Sequence, residues 1–247
     1  MTQRRQSQDP ASREAIAHAL RSVFPRANAT SIVNLLEAHA IRVAEAGLSQ
    51  PSRSAEPEIN LVLDGHVAVV QSAPDGRVAF LGVWGRGTLV GILTLGGEAD
   101  TVATEVLGSA LFASWRAERV REIARRDPGM MLDIVDLLVY GVRLSLLLLE
   151  QQRFATASAR LASFLLRHED LVFSGGRPRI LRSQLAAAAG VSREMSGRIL
   201  RRWERDEIIR RVGKIRLVLV DRQRLLLEAA GADALAPMPR RPTEIAS

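Results

Sequence analysis

The sequence predicts an α+β fold in three parts: an N-terminal antiparallel β-roll of the jelly-roll type, one long helix, and a small C-terminal α+β module. Three observations predict it. Short β-type runs, interrupted every few residues by glycine, occupy residues 59–115. A single unbroken helical pattern covers residues 127–154. Two short helical patterns and a two-strand pattern follow, within a region rich in arginine.

The composition describes a folded protein with one basic region. Hydrophobic residues make up 47% of the 247 residues and charged residues 25%. The net charge is +7, but residues 177–224 contain fourteen basic and five acidic residues, so this region carries +9 and the remainder −2. Such asymmetry predicts a polyanionic partner for the C-terminal part, and basicity alone fits RNA, DNA or an anionic membrane.

Two features of the sequence exclude several kinds of functional site and of cellular location. Cysteine is absent, which excludes disulfides, thiolate catalysis, cysteine-ligated zinc and iron–sulfur clusters. The N-terminus has no apolar signal-type region, and the apolar runs are shorter than the ~18 residues of a membrane span. We therefore expect a cytoplasmic protein.

The N-terminal part is predicted to begin with helices and continue with strands. Residues 1–12 are predicted to be unstructured, helical spacing covers residues 12–21 and 31–39, and residues 47–58 are typical of a loop. Turns are predicted at Asp64–Gly65 and Pro74–Gly76. The predicted strands are 59–63, 67–71, 78–83, 88–95, 102–107 and 110–115, and a short helix at 118–125 precedes the long one.

The long helix begins with good start signals and has a coiled-coil pattern. Asp127 suits the N-cap and Pro128 the first helical position. Apolar residues then recur at steps of three and four: Leu132, Val135, Val139, Val142, Leu146 and Leu149. A second register is nearly as good: Met131, Val135, Leu138, Val142, Ser145 and Leu149. The pattern predicts a homodimer through this helix, and a helix buried within a monomer is the alternative.

The C-terminal part has the spacing of a helix-turn-helix followed by a β-hairpin. Helical spacing resumes at 155–171, and the Gly-Gly-containing loop at 173–179 is a candidate domain boundary. A short helix at 183–188, a turn through Gly190 and a helix capped by Ser192 and ending near Arg205 form the two-helix unit. The strands 208–212 and 215–220 then make a wing, and Asp221 caps a last helix to about residue 230. The tail beyond it is predicted to be disordered.

These residues together resemble the Crp–Fnr family of bacterial transcription regulators. The most specific match is AAAAGVSREMSGRILRRWERDEII, which is similar to the family pattern G-x-S-R-E-x-x-x-R-x-L-x-x-L-E. The resemblance covers about residues 12–230. It implies four parts: a β-roll sensor domain (1–126), a dimerisation helix (127–154), a winged helix-turn-helix DNA-binding domain (155–230) and a disordered tail (231–247).

The resemblance also implies which residues contact DNA. Arg193 matches the arginine that contacts guanine O6 and N7, Glu194 the glutamate that accepts from cytosine N4, and Arg198 the second arginine of that face. Further residues are expected at the phosphates, where they position the protein without reading sequence: Arg182, Ser192, Arg201, Arg211 and Lys214.

The expected effector pocket departs from the family pattern. A cyclic-AMP binder of this type has Gly-Glu-Leu where this chain has Gly91, Ile92 and Leu93. It has an arginine on the cyclic phosphate where this chain has Asp100 and Thr101, and an acid there would repel the phosphate. Cyclic nucleotides are therefore not expected as effectors, although these residues, with Ser145, are the ones expected to line a pocket.

No cofactor, metal or catalytic residue is predicted. No two of the four histidines stand at ligand spacing, and Trp84, Trp115 and Tyr140 either line an apolar pocket or belong to the core. We expect a homodimeric, sequence-specific DNA-binding regulator on a near-palindromic site, with RNA polymerase an open candidate partner. Two alternatives are a small-molecule-binding or enzymatic β-roll with an accessory nucleic-acid module, and a DNA-coating protein without sequence preference.

Overall fold

The computed structural model describes residues 3–5, 10–49, 57–72, 78–96, 102–173, 180, 182–213 and 216–233. Within them lie eight strands: β1 (Gln3–Arg5), β2 (Ala40–Ser49), β3 (Glu58–Ser72), β4 (Val78–Trp84), β5 (Leu89–Val90), β6 (Val102–Arg116), β7 (Ile209–Val212) and β8 (Arg216–Leu219). The described helices are α1 (Pro10–Val23), α2 (Ala29–Ala38), α3 (Ala117–Arg125), α4 (Pro128–Phe154), α5 (Ala157–Arg167), α6 (Glu169–Val172), α7 (Arg182–Ala188), α8 (Arg193–Arg205) and α9 (Arg222–Asp233), with a 3₁₀ helix at Ile92–Gly96.

The chain divides into two compact units, and the division falls inside α4. Among the described residues, the first unit holds those up to Gln71 together with Val83–Arg143, and the second holds those of Ser72–Gly82 and those from Leu144 to Asp233. The first unit therefore contains α1–α3 with β1, β2, β5, β6 and nearly all of β3. Most of β4 and the helix-turn-helix elements belong to the second unit. The functional domain limits given above stay a prediction.

The larger sheet is antiparallel with strand order β1-β2-β6-β3-β4, and β5 also pairs with β3. This is the predicted β-roll with two strands that the sequence analysis missed. Residues 3–5 were expected to be unstructured, yet they pair with β2 in the register Arg4↔Arg42. β2 itself extends to Ser49, into the predicted 47–58 loop, and pairs with β6 from Ala40↔Ser114 onward.

Glycines that were predicted to end strands instead form bulges inside them. β3 runs through Asp64–Gly65 without a turn, and β6 joins the two predicted strands 102–107 and 110–115. The pairing of β3 with β6 shifts at Gly65/His66, opposite Gly108. Both glycines have positive φ, +83° and +84°, and a Cβ on Gly65 would overlap the carbonyl oxygen of Ser109. A positive-φ glycine suits a bulge as well as a turn, so the pattern alone misled the prediction.

The predicted strand at 88–95 was also wrong beyond its first residues. Only Leu89–Val90 pair with β3, and the chain then turns at Gly91 into the 3₁₀ helix. The predicted Pro74–Gly76 turn, most of the 173–179 loop and the tail beyond residue 233 lie outside the described residues.

The core of the first unit lies between the sheet, α1–α3 and the first half of α4. Its buried side chains include Ile16, Leu20, Leu35, Ile59, Leu61, Trp115, Val120, Met130 and Ile134. Trp115 donates its Nε1–H to the carbonyl oxygen of Leu35 at 2.7 Å, so this aromatic residue is core and not pocket lining. A smaller cluster fills the roll: Val62, Val67, Val90, Val106, Ala110 and Phe112.

The start of α4 is fixed by a buried carboxylate, as its sequence predicted. Asp127 accepts hydrogen bonds from the backbone N–H groups of Gly129 and Met130 at 3.1 and 3.2 Å, which is N-cap geometry. Its second oxygen accepts the N–H of Asn28 at 2.9 Å, so the same side chain holds the α1–α2 connection. Burial would raise the pKa of Asp127, but the hydrogen bonds from Ser31 and the backbone outweigh burial and lower it.

Candidate nucleic-acid interface

The second unit contains the predicted helix-turn-helix. α7 and α8 are joined by a turn in which Gly190 has φ +63°, a conformation that favours glycine. The Ser192 side chain accepts the N–H of Met195 at 3.2 Å and so caps α8. The local structure was predictable because cap and turn residues stand next to the amphipathic pattern that they delimit.

α8 has one buried face and one open, charged face. Ser196, Ile199, Leu200 and Trp203 are buried in the second unit. Arg193, Glu194, Arg198 and Arg201 are exposed. None of these four side chains has an ion pair or a hydrogen bond to another residue in the part of the chain that the structure describes. The residues that the family resemblance assigns to base reading therefore share an open face at the helix N-terminal half.

Other charged residues of the same helix hold it in place. Arg202 donates to Glu228 at 2.5 Å and to the Ser158 hydroxyl at 2.8 Å, which ties α8 to α9 and α5. Glu204 accepts from the Nε of Arg211 at 2.7 Å, which ties α8 to the first wing strand. Sequence reasoning missed these anchors, because a charge within a basic run carries no sign of its intramolecular partner.

The predicted phosphate contacts fall into different surroundings. Arg201 is exposed, Ser192 serves as the α8 N-cap, and Arg211 is half-buried with two of its nitrogens on Glu204. The side chain of Arg182 and the whole of Lys214 lie outside what the structure describes.

The wing is a two-stranded antiparallel hairpin, as predicted. β7 and β8 pair from Ile209↔Leu219 to Val212↔Arg216. Arg210 on β7 is exposed and Ile209 is buried, so successive side chains alternate between solvent and the core. Asp221 then caps α9 by accepting the N–H of Arg224 at 2.9 Å.

The structure describes four of the six residues that were expected to line an effector pocket. Gly91 has φ +85°, and a Cβ there would lie 2.5 Å from the carbonyl oxygen of Glu58. Ile92 packs against the hydrophobic core of the first unit, whereas Leu93 is exposed. Ser145 is an exposed residue of α4, and Asp100 and Thr101 lie outside the described residues.

An arginine of α3 holds the 3₁₀ helix that follows Gly91 in place. No pattern in the sequence indicated this contact. Arg121 donates from Nε and Nη2 to the carbonyl oxygen of Leu95 at 3.1 and 2.9 Å. Thr94 also donates its hydroxyl hydrogen to the carbonyl oxygen of Gly91 at 2.7 Å. These contacts satisfy backbone carbonyls of the 3₁₀ helix within the protein itself.

The outer face of α4 is an exposed apolar stripe. The stripe consists of Leu132, Val135, Val139, Val142, Leu146 and Leu149, whose relative exposures range from 46% to 61%. The opposite side of the helix is buried, with Met130 and Ile134 in the first unit and Leu144 and Leu147 further along. Leu138, a member of the second predicted register, packs against the core of the first unit.

A polar cluster joins the α1–α2 connection to α4. Buried Asp133 accepts the backbone N–H of Arg26 at 2.9 Å and its Nη1 at 3.1 Å, and Arg26 also contacts Asp136 at 2.6 Å. Burial raises the pKa of Asp133 even though Arg26 opposes that shift. This arrangement is structural, since it fixes α4 against the N-terminal helices.

Comparison with known proteins agrees with this architecture. Residues 159–227 match the model of the Crp-like helix-turn-helix domain. The CRP-like protein Clp of Xanthomonas campestris pv. campestris is 30% identical over 166 residues, which cover 62% of this chain and 72% of Clp. The chain belongs to the Crp–Fnr family. Clp of Xanthomonas oryzae pv. oryzae matches with the same identity and coverage.

Solved structures of Crp–Fnr proteins have the same fold. FixK2 from Bradyrhizobium japonicum has a TM-score of 0.65 at 19% identity, covering 76% of this chain and 96% of FixK2. The c-di-GMP-responsive regulator Clp of Xanthomonas campestris has a TM-score of 0.62 at 23% identity, covering 78% of this chain and 99% of Clp. A Crp/Fnr regulator from Eubacterium rectale reaches 0.68 at 16% identity, with coverages of 82% and 94%.

This Crp–Fnr protein is thus a transcription regulator with a helix-turn-helix DNA-binding domain, and its family is a class of regulators and not of enzymes. Among the described helices, none combines the length and apolarity needed to cross a membrane.

Proposed function

We propose that the protein is a homodimeric regulator that binds a near-palindromic DNA site in a sequence-specific way and is not controlled by cyclic AMP or cyclic GMP. The observation that supports specific binding is the open face of α8. Arg193, Glu194 and Arg198 project from its first two turns while the opposite face is buried. A recognition helix enters the major groove with such a face.

The three side chains have the chemistry of base readers. An arginine fork can donate two hydrogen bonds to guanine O6 and N7, and a glutamate can accept from cytosine N4. Glu194 is informative because a carboxylate near phosphates is unfavourable unless it gains a base contact. We therefore assign a G·C step to Arg193 and Glu194 and a neighbouring base to Arg198.

The decisive experiment is a binding-site selection with Arg193→Ala. One bidentate contact gives about 1–3 kcal/mol of discrimination, and a dimer has two such contacts, so affinity for the selected site should fall by about 2–6 kcal/mol. The base preference at one symmetric position should also disappear. An unchanged selected motif would overturn the assignment.

Two further variants serve as controls in that selection. Lys214→Ala removes a proposed phosphate contact at the wing, so it should weaken specific and random duplexes alike and reduce the salt dependence. Arg222→Ala removes an arginine that pairs with Glu169 at 2.9 Å on the surface, so it should leave the motif unchanged. If wild-type protein binds random and selected duplexes equally, it coats DNA and the proposal of specific binding fails.

The dimer is supported by the exposed stripe on α4. Six aliphatic side chains at coiled-coil spacing are costly to leave in water, and a second copy of the same helix would cover them. The first of the two registers is favoured, because all of its members are exposed while Leu138 of the second packs inward. Two recognition helices would then lie about 34 Å apart in successive major grooves.

Independence from cyclic AMP and cyclic GMP is supported by Ile92. At the position where the family pattern has a glutamate for the ribose, this side chain is apolar and packs against the core. Calorimetry with either nucleotide should show binding no tighter than about millimolar, which is about −4 kcal/mol. Micromolar affinity would contradict the proposal. Cyclic di-GMP should be titrated in the same way, because the similar regulator Clp is c-di-GMP-responsive. Its binding would identify an effector and would not affect the proposed DNA contacts.

A regulator that binds DNA acts where the chromosome is, so we propose a cytoplasmic location. RNA polymerase remains a candidate partner, to be tested by co-sedimentation with the protein on its selected site.

A further inference from the structure

Arg160 connects the end of α4 to the turn of the helix-turn-helix. It lies in the first turns of α5, directly after the short link between α4 and α5. Its Nη1 donates to the carbonyl oxygen of Ala155 at 2.7 Å, and its Nη2 donates to the carbonyl oxygen of Gly190 at 3.0 Å. One planar guanidinium therefore joins Ala155, which directly follows α4, to Gly190, which lies three positions before the first residue of α8.

The surroundings of this contact are closely packed. A Cβ built on Gly190 would lie 3.6 Å from the side-chain nitrogen of Gln152 in the last turn of α4. The N–H of Gly190 donates to Ala187 and that of Val191 to Ala186, so the turn is also closed on α7. Ala155 and Val191 are buried. The turn is thus held between α7 and the α4–α5 connection.

We propose that Arg160 is a positioning residue, which fixes the recognition helix relative to the C-terminal end of α4. A guanidinium has donors in a fixed fork and can hold two carbonyls at a set separation, whereas a lysine ammonium is a single point of charge on a flexible stem. Hydrogen bonds from an ionised donor are also stronger than neutral ones. If α4 forms the dimer, Arg160 transmits the placement of α4 to the DNA-reading face.

The first test measures this role in the free protein. Amide hydrogen exchange is followed at Ala155, Gly190 and Val191 in wild type, Arg160→Met and Arg160→Lys. Arg160→Met keeps the apolar stem and loses both bonds, so we expect about tenfold faster exchange at these amides, and a smaller effect for Arg160→Lys. Exposed Arg153 in the last turn of α4 gives the matched control Arg153→Met, which should change nothing.

Two exchange results would overturn the proposal. Unchanged protection of Gly190 and Val191 in Arg160→Met would show that the guanidinium does not hold the turn. Equal acceleration throughout the second unit would show that Arg160 only contributes to overall stability.

The second test measures DNA binding and rests on the proposed function. Arg160→Met should weaken binding to the selected site about tenfold and binding to a random duplex less than twofold, because phosphate contacts tolerate a misplaced helix better than base contacts do. Equal losses on both duplexes would overturn the positioning role and make Arg160 a phosphate contact. If wild type has no preferred site, the proposed function fails, and hydrogen exchange alone decides the role of Arg160.

Discussion

Replacing Val142 and Leu149 by aspartate should convert a dimer of this protein into monomers. Both side chains belong to the exposed stripe on α4 and to both coiled-coil registers, so the choice of register does not affect the test. In the monomer they already contact water, with exposures of 60% and 56%, so the substitutions should cost the folded monomer little.

The expected magnitude follows from the exposure of the stripe. Fully burying an aliphatic side chain contributes about 1.5–3 kcal/mol, and these side chains are about half exposed, so each gains about 1 kcal/mol in a dimer. Twelve of them give about 12 kcal/mol, which is comparable with the about 4–15 kcal/mol that association costs. The double variant removes about 4 kcal/mol of this gain and also buries carboxylates, so the dissociation constant should rise at least about a thousandfold.

Sedimentation equilibrium over a wide concentration range measures the effect directly. A matched control replaces two exposed aliphatic residues elsewhere, Val33 of α2 and Leu227 of α9, by aspartate and should leave the dimer intact. A double variant at Val142 and Leu149 that still sediments as a dimer would refute the role of the stripe. Single variants then separate the registers: Leu146→Asp should weaken only a dimer in the first register and Ser145→Asp only one in the second.

Three further predictions concern the start of α4. Asp127→Ala should lower the free energy of unfolding by about 2–4 kcal/mol in urea denaturation, since the N-cap is lost and the N–H of Asn28 loses its partner. The control Asp136→Ala, which removes an exposed ion pair, should lower it by at most about 1 kcal/mol. Because the pKa of Asp127 is lowered in the folded state, its stabilisation is complete above the ordinary value of 3.8 and is lost as the pH falls through the folded pKa. The difference in unfolding free energy between wild type and Asp127→Asn should therefore shrink as the pH is lowered below about 5. Gly129→Ala should destabilise the fold measurably in thermal unfolding, because its Cβ would overlap the carbonyl oxygen of Arg26; an unchanged midpoint would show that the connection can move away.

The helices were more predictable from the sequence than the strands. The start and end of α4 were predicted at the residues where the structure places them, because Asp127 and Pro128 act locally and the apolar spacing continues to the last turn. The sheet is different, since its strands are defined by partners far along the chain. β2 carries no strong alternation, and its pairing with β6 is what makes it a strand. The glycines of β3 and β6 could equally have ended a hairpin or formed a bulge.

The candidate DNA-binding face was predictable for the same local reason, and the residues that support it were not. Arg193, Glu194 and Arg198 stand beside a cap and a turn that fix which way they face. Arg160 and Arg121 depend on carbonyl groups 30 and 26 positions away, which no local pattern indicates. Residues that position a site are therefore found from the structure, whereas residues that form its surface can be found from the sequence.

The net charge of the basic region does not show which of its arginines are available to DNA. Composition treats its arginines as equivalent, and the structure separates them into two groups. Within the described residues, one group has carboxylate partners in the protein: Arg202 with Glu228, Arg205 with Asp206, Arg211 with Glu204, Arg222 with Glu169 and Arg224 with Asp221. Arg193, Arg198 and Arg201 form the other group, on the open face of α8. Two of the partner carboxylates, Glu169 and Glu228, lie outside residues 177–224, so the positive charge of this region that can meet DNA is smaller than its net charge. Three open arginines lie on the base-reading face, so phosphate attraction and base recognition would act through the same helix.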